Sequence, residues 1–200
     1  MVMAGFQAYT EKAETGELTQ ADYDQMKSWG LNTVMSRCFW GSALEPDKTL
    51  PGVYSTTYMT HLERHIRMAK NAGLFWIPCI RVSYNDNETP DNPPYPYWGW
   101  GRARDVCTSA GLDRFLACVE WWVTWLESRN PPLDNILGYC PWMFPFHQSS
   151  PTATETTFFY STVLPSLANA VKKHTSKLLF LNPIWLSRLR LASILGSTIQ

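Results

Sequence analysis

The chain has 200 residues, 45% of them hydrophobic, and its 17 Lys and Arg residues balance its 17 Asp and Glu residues. This composition is typical of one globular domain with a hydrophobic core. A balanced charge offers no strong field for nucleic acid or for an anionic membrane surface, and no run of about 18 apolar residues predicts a membrane span. We therefore expect neither a nucleic acid nor a membrane as partner.

The first residues lack the basic start and the apolar run that are typical of a leader peptide. The sequence as written therefore predicts a cytoplasmic chain, and an extracellular location stays open for a longer form. Its five cysteines include no Cys-x-x-Cys pair, which argues against a zinc site, and we expect no metal and no cofactor. Their number is odd, so at least one thiol has no partner within the chain. Cys107 and Cys118 are the one pair that suggests a disulfide.

A strand and a helix open the chain. Residues Val2 to Tyr9 read as a buried strand, and helical spacing then follows Thr19, which can cap a helix together with Asp22 three residues on. Gly30 suits the end of this helix. The sequence therefore predicts a strand-helix unit at the start.

The same alternation recurs along the rest of the chain, because runs of buried-strand character separate segments with the 3.6-residue period of a helix. In chain order the predicted elements are the strand Asn32–Cys38; a helix that uses Tyr58, Leu62, Ile66 and Ala69 and ends at Gly73; the strand Leu74–Val82; a helix with the apolar set Leu112, Phe115, Leu116, Val119, Trp122, Val123 and Leu126; the strand Asn135–Cys140; a helix from Thr154 to His174 bent at Pro165; and the strand Lys177–Ile184.

Strands separated by helices imply parallel pairing, so the predicted class is α/β. The long loops all follow strands and no glycine-rich phosphate turn follows the first strand, which favours a (β/α)8 barrel over a doubly wound sheet. A whole barrel needs about 250 residues. We therefore expect residues 1–184 to form the N-terminal part of a barrel, about five strand-helix units, and residues 185–200 to be a poorly matched tail from a truncated or frameshifted reading. The alternative is a complete five-stranded open sheet.

Three segments of the sequence, in order, resemble glycoside hydrolase family 5, the cellulase and mannanase type of barrel. They are Met26–Pro46, Met68–Val82 and Ile136–His147. The resemblance implies a protein that acts on or binds β-linked oligo- or polysaccharide. It also implies a retaining mechanism, in which one carboxylic acid protonates the leaving oxygen and a carboxylate roughly 5 Å away attacks the sugar.

The sequence departs from this family at its catalytic acid. The resemblance implies an Asn-Glu-Pro turn after the fourth strand, and Pro145 matches the proline, so that Met143 and Phe144 stand where Asn and Glu are expected. The second carboxylate belongs to a seventh strand that these residues do not contain. Whether the chain is an enzyme therefore stays open: it is either a glycosidase with a rearranged acid, His147 or Glu155, or a degenerate barrel that binds carbohydrate or serves as an interaction scaffold.

Other residues at the ends of strands are candidates for sugar contact. Trp40 and Trp142 follow strands and are expected to edge a cleft. The proline-rich loop Asn87–Asp105 offers Trp98 and Trp100, either for stacking on sugar rings or as a lid. Glu45 is expected to be a turn or helix-cap carboxylate rather than a catalytic one. The predicted substrate-binding residues are Arg37, Trp40, Arg81, Trp98, Trp100, Trp142 and His147.

Overall fold

The structure is a computed structural model that describes residues 5–8, 18–41, 43–82, 103–143, 145 and 151–181. Strands and helices alternate along the chain as the sequence predicts. The elements are β1 (Gly5–Ala8), α1 (Gln20–Ser28), β2 (Thr33–Phe39), α2 (Thr56–Asn71), β3 (Phe75–Arg81), α3 (Ala103–Val106), α4 (Ser109–Glu127), β4 (Gly138–Tyr139), α5 (Ala153–Phe158), a π-helical turn (Phe159–Val163), α6 (Leu164–Lys172) and β5 (Leu178–Leu179).

The five strands lie side by side in the order in which they occur in the chain, and every pair is parallel. Register pairing joins β1 to β2, β2 to β3 and β4 to β5. Between β3 and β4, the N–H of Ile80 donates to the carbonyl of Cys140 at 2.9 Å, and parallel bridges join the two segments. A doubly wound sheet reverses its strand order at a switch point, and these five strands show no reversal. The predicted α/β class is confirmed.

The ends of the first two long helices follow the local signals in the sequence. Thr19 and Asp22 form a capping box, in which the N–H of Thr19 donates to Asp22 Oδ2 at 2.6 Å. Gly30 and Gly73 follow α1 and α2 with positive φ angles of 81° and 71°. Glycine adopts this left-handed backbone without a steric penalty, so both positions end their helices where predicted.

The sheet has two covered faces. One face packs against the helices and forms the main core, which includes Tyr23, Trp76 and the predicted apolar stripe of α4. All residues of that stripe are buried except Leu116, which is half-buried. The other face carries a smaller inner cluster, in which Met35, Leu137 and Phe180 pack against four buried residues: Ile77, Cys79, Cys140 and Met143. Because side chains alternate along a strand, neighbouring residues of β3 such as Trp76 and Ile77 belong to different faces.

β4 is interrupted by a bulge and is therefore shorter than predicted. Trp76 pairs with Ile136 and Cys79 pairs with Cys140. The chain advances by four residues between these two pairings on the β4 side but by three on the β3 side, so one extra residue bulges out. Gly138 lies inside this bulge. A Cβ atom at Gly138 would be 2.3 Å from the carbonyl oxygen of Leu178, so the close approach of β5 requires glycine here.

The predicted single helix near Pro165 is instead two α-helical segments joined by the π-helical turn. Pro165 lies in the first turn of α6, directly after that turn. Proline has no N–H and its ring collides with the preceding turn of an α-helix, and a wider turn relieves both problems. The sequence does not predict the short helix α3, because its first residues follow directly on the proline-rich loop. The tail at 185–200 lies outside the described residues.

None of the five cysteines forms a disulfide bond. The suggested disulfide between Cys107 and Cys118 is therefore wrong, and Cys118 is packed in the helix-side core. No helix within the described ranges is long and apolar enough to cross a membrane.

Candidate functional site

Arg37 and Arg81 lie together at the carboxyl ends of β2 and β3. In the β2–β3 register Arg37 is opposite Cys79 and Phe39 is opposite Arg81, which places both arginines on the face that carries the inner cluster. Arg81 lies on the neighbouring strand, two residues beyond the partner of Arg37, so the two Cα atoms are about 8 Å apart. Both are buried, with 5% and 3% of their surfaces exposed. The guanidinium of Arg81 lies 5.8 Å from the centre of the Phe39 ring.

Trp40 follows directly after β2 but turns to the other face of the sheet. It is 1% exposed, and its ring centre lies 4.9 Å from that of Phe115 on α4. Its indole N–H donates to Glu45 Oε2 at 2.7 Å. Trp40 therefore belongs to the helix-side core, and the expectation that it edges a cleft is corrected: the contact with α4 buries it.

Glu45 is a buried carboxylate that ties the segment after β2 to α4. It is fully buried, and its Oε1 accepts hydrogen bonds from Arg114 Nε at 2.9 Å and from the N–H of Gly52 at 2.8 Å. Arg114 also donates to the carbonyl of Lys48 at 3.0 Å. The sequence predicts Glu45 in a turn but does not predict Arg114 as its partner, because no local spacing connects two residues that lie on separate elements.

Trp142 also lies in the core rather than at a cleft edge. It is 3% exposed, and its ring makes T-shaped contacts with Phe115 and Phe159, at 5.8 Å and 5.4 Å between ring centres. Its expected position at the edge of a cleft is therefore corrected as well. The next residue, Met143, is buried in the inner cluster, and its N–H donates to the carbonyl of Ile80 at 2.8 Å.

Glu155 begins a helix. Its carboxylate accepts from the N–H of Thr152 at 2.6 Å, and its own N–H donates to the Thr152 hydroxyl at 3.1 Å, which together form a capping box for α5. Arg104 Nε lies 3.4 Å from the other carboxylate oxygen. These contacts account for Glu155 as a helix-start residue, and its role as a substitute acid stays a prediction.

The other candidate residues lie outside the described residues. They are Trp98, Trp100, Phe144 and His147. Their predicted roles therefore stay predictions, although the identity of Phe144 already excludes a carboxylate at that position. Among the residues that the structure describes, no three His, Cys, Asp or Glu side chains are grouped so as to hold a metal ion.

The inner cluster brings two thiols side by side, because Cys79 and Cys140 pair across β3 and β4. Burial raises the pKa of Cys79 well above its usual value, and the neighbouring Cys140 thiol raises it further. Cys79 is therefore a neutral thiol at physiological pH, and a thiolate nucleophile is not available from it.

No protein-family model and no curated protein sequence matches this chain. Its fold is similar to several solved structures. Endo-glycoceramidase II from Rhodococcus sp., in complex with a five-membered iminocyclitol, is 14% identical with a TM-score of 0.71, over 93% of this chain and 49% of that one. A crystal structure of an endogalactoceramidase is 16% identical with a TM-score of 0.64, over 91% and 49%. Thermotoga maritima Cel5A in complex with cellobiose, in a mutant form, is 12% identical with a TM-score of 0.62, over 92% and 55%.

The chain thus spans about half the length of the structures that it matches. At these low identities the similarity shows the fold. The neighbours are enzymes of the glycoside hydrolase family 5 type, so the family resemblance in the sequence and the similarity of the structures agree at the level of the fold. The parallel strands in chain order, found independently in the hydrogen bonding, are consistent with it.

Proposed function

We propose that this chain is part of a glycosidase-type (β/α)8 barrel that binds β-linked glycan at the carboxyl ends of its strands. The observation that supports this most is the placement of Arg37 and Arg81, which share one sheet face at the ends of β2 and β3. Barrel enzymes build their active sites at this end of the strands. The similarity of fold to a cellulase-type structure with bound cellobiose is the second support.

The proposed role is binding rather than efficient hydrolysis by the usual route. Retaining hydrolysis needs a carboxylic acid to protonate the leaving oxygen, and Phe144 occupies the position that the family resemblance assigns to this acid. A phenyl ring has no proton to donate. General acid catalysis contributes about 100-fold to 10,000-fold in rate, so its loss removes most turnover on an ordinary glycoside.

The aromatic rings that stack on sugar are proposed to come from the loop after β3. Trp40 and Trp142 pack in the core, so Trp98 and Trp100 are the remaining tryptophans among the predicted sugar contacts. A tryptophan ring offers a flat apolar face to the C–H face of a sugar. The arginines then supply hydrogen bonds to the polar edge of the same sugar.

Calorimetric titration of the purified chain with cellohexaose and mannohexaose tests this proposal. We expect saturable binding of at least one of them, weakened about tenfold or more by Trp98→Ala or Trp100→Ala. Trp29→Ala is the matched control, because Trp29 is 67% exposed and lies before β2, at the opposite end of the strands. Absence of saturable binding to either sugar would overturn the proposal.

Release of reducing ends from the same sugars decides between binding and hydrolysis. Turnover at a rate ordinary for glycosidases would contradict a role in binding alone. If that turnover disappears in His147→Ala or Glu155→Gln, the chain is instead a glycosidase with a rearranged acid. We expect no turnover above the rate of a buffer control.

A further inference from the structure

The Cys79 and Cys140 thiols lie side by side on the inner face of the sheet. The two residues pair across β3 and β4, and both are fully buried. Their thiols are in hydrogen-bond contact with each other. Neighbouring strands are about 4.8 Å apart, which falls within the range of about 4.4 to 6.8 Å that separates the Cα atoms of a disulfide. The spacing of the pair therefore suits a disulfide bond.

The bulge in β4 brings Cys140 into this position. Trp76 pairs with Ile136, so a ladder without a bulge would place Tyr139 opposite Cys79. The extra residue instead brings Cys140 opposite Cys79 and turns Tyr139 to the helix side, where it is fully buried in the main core. Bulges commonly re-aim side chains in this way. The two thiols therefore meet because of a specific irregularity of the sheet.

The surroundings of the pair slow its exchange with small thiols in solution. Ile77 and Met143 are buried in the same cluster, and Arg37 is opposite Cys79 on β2. Burial raises the pKa of Cys79 well above its usual value, although the charge of Arg37 acts in the opposite direction. Thiol–disulfide exchange needs both a thiolate and access to the sulfur atoms. The oxidation state that the pair acquires during folding is therefore expected to persist in the folded chain.

We infer that Cys79 and Cys140 form a redox-sensitive staple, which stays open when the chain folds under reducing conditions and closes as a disulfide when a small disulfide such as oxidised glutathione is present. This inference does not depend on glycan binding. One cysteine thiolate attacks the small disulfide, breaks its S–S bond and releases one glutathione thiolate. The second cysteine thiolate then attacks the mixed disulfide and releases the other. The two cysteine sulfurs lose two electrons and two protons, and the small disulfide is reduced to two thiols.

The test folds the full chain from urea in a mixture of reduced and oxidised glutathione, with reduced glutathione alone as the reference. Peptide mapping by mass spectrometry without reduction is expected to find Cys79 linked to Cys140. The urea midpoint of the oxidised chain is expected to be about 1 M higher, because a link across α3 and α4 restricts the unfolded chain. Cell-free synthesis in the same two mixtures gives the comparison if the chain does not refold from urea.

Cysteine variants assign the effect to this pair. Cys79→Ala and Cys140→Ala are each expected to abolish the link and the rise in urea midpoint, and either variant suffices if the other does not fold. Cys118→Ala is the matched control, because Cys118 is equally buried but lies in the helix-side core, and it is expected to keep both effects. Dithiothreitol is expected to reduce the staple at least tenfold more slowly in the folded chain than in urea.

Three results would overturn the inference. The first is a chain that folds in the oxidising mixture and keeps all five thiols reduced. The second is a disulfide that joins any other two cysteines, because the pairing on the inner face then does not direct the oxidation. The third is a rise in urea midpoint that Cys79→Ala and Cys140→Ala retain. Equal rates of reduction in the folded and unfolded chains would contradict the persistence of the closed staple.

Discussion

The Arg114 guanidinium and the fully buried Glu45 carboxylate form a partly buried ion pair at 2.9 Å although they lie 69 positions apart in the chain. The pair fixes the segment that follows β2 against α4, with Gly52 and Trp40 as further donors to the same carboxylate. It therefore positions the loop next to the end of β2, where Arg37 lies. A rigid support of this kind keeps a binding site in one geometry.

Removing either partner of this pair is expected to destabilise the fold. Arg114→Met removes the Arg114 guanidinium from the buried Glu45 carboxylate, and breaking a buried ion pair on one side costs about 3 kcal/mol or more. Urea denaturation measures the loss. Lys173→Met is the control, because the pair between Lys173 and Glu120 is largely exposed and is expected to contribute less than about 1 kcal/mol. Equal effects of the two substitutions would contradict a supporting role for the Glu45 pair.

Gly138→Ala is expected to separate β5 from β4. The new methyl group would lie 2.3 Å from the Leu178 carbonyl oxygen, which belongs to the backbone and cannot rotate away. Overpacking that forces the backbone to shift costs about 1 to 3 kcal/mol, and a contact this close is expected at the upper end of that range. Gly30→Ala is the matched control: its site is open, so only the left-handed backbone is strained, at about 1 kcal/mol. Urea midpoints that fall equally would show that the contact with Leu178 is not tight.

Trp142→Ala tests the assignment of Trp142 to the core. Its ring packs against Phe115 and Phe159, and removing a fully packed tryptophan costs about 3 to 5 kcal/mol. The exposed Trp29 serves as reference, and Trp29→Ala is expected to change stability by less than about 0.5 kcal/mol. In Trp142→Phe, which keeps an aromatic ring in the core, glycan affinity is expected to stay within about twofold. A large loss of affinity without a loss of stability would show a direct sugar contact instead.

Stability is expected to fall at alkaline pH because of buried thiols. Burial raises the pKa of Cys118 well above its usual value, and the nearby Glu45 carboxylate raises it further. The contribution of the buried thiol to the free energy of unfolding is therefore fully present at pH values below the pKa of the unfolded chain, about 8.5. That contribution is lost as pH rises from there towards the raised pKa of the folded state, because only the unfolded chain releases the proton in this window.

The Cys118→Ala variant provides the measurement. Its free energy of unfolding is expected to fall less steeply between neutral and alkaline pH than that of the parent chain, with both followed by urea denaturation. Comparison of the two slopes removes any difference that already exists at neutral pH. Parallel slopes would show that the Cys118 thiol does not titrate differently in the folded and unfolded chains.

The positions of the candidate site residues were only partly predictable. Arg37 and Arg81 were correctly placed near the ends of adjacent strands, because strand alternation fixes the face and the order of units fixes the neighbours. Trp40 and Trp142 were expected at a cleft, and both turned out to pack against α4 or the π-helical turn. Nothing in a loop sequence states which distant helix will cover it.

The sequence by itself determined the local structure of this protein: the α/β alternation, the capping box at Thr19, the glycine stops and the buried stripe of α4. These features depend on contacts within a few residues or on a repeating period, so they can be read along the chain. Only the tertiary structure decided the partner of Glu45, the burial of Trp142 and the need for glycine at position 138. Each depends on an atom far away in the sequence, and the packing of whole elements sets those distances.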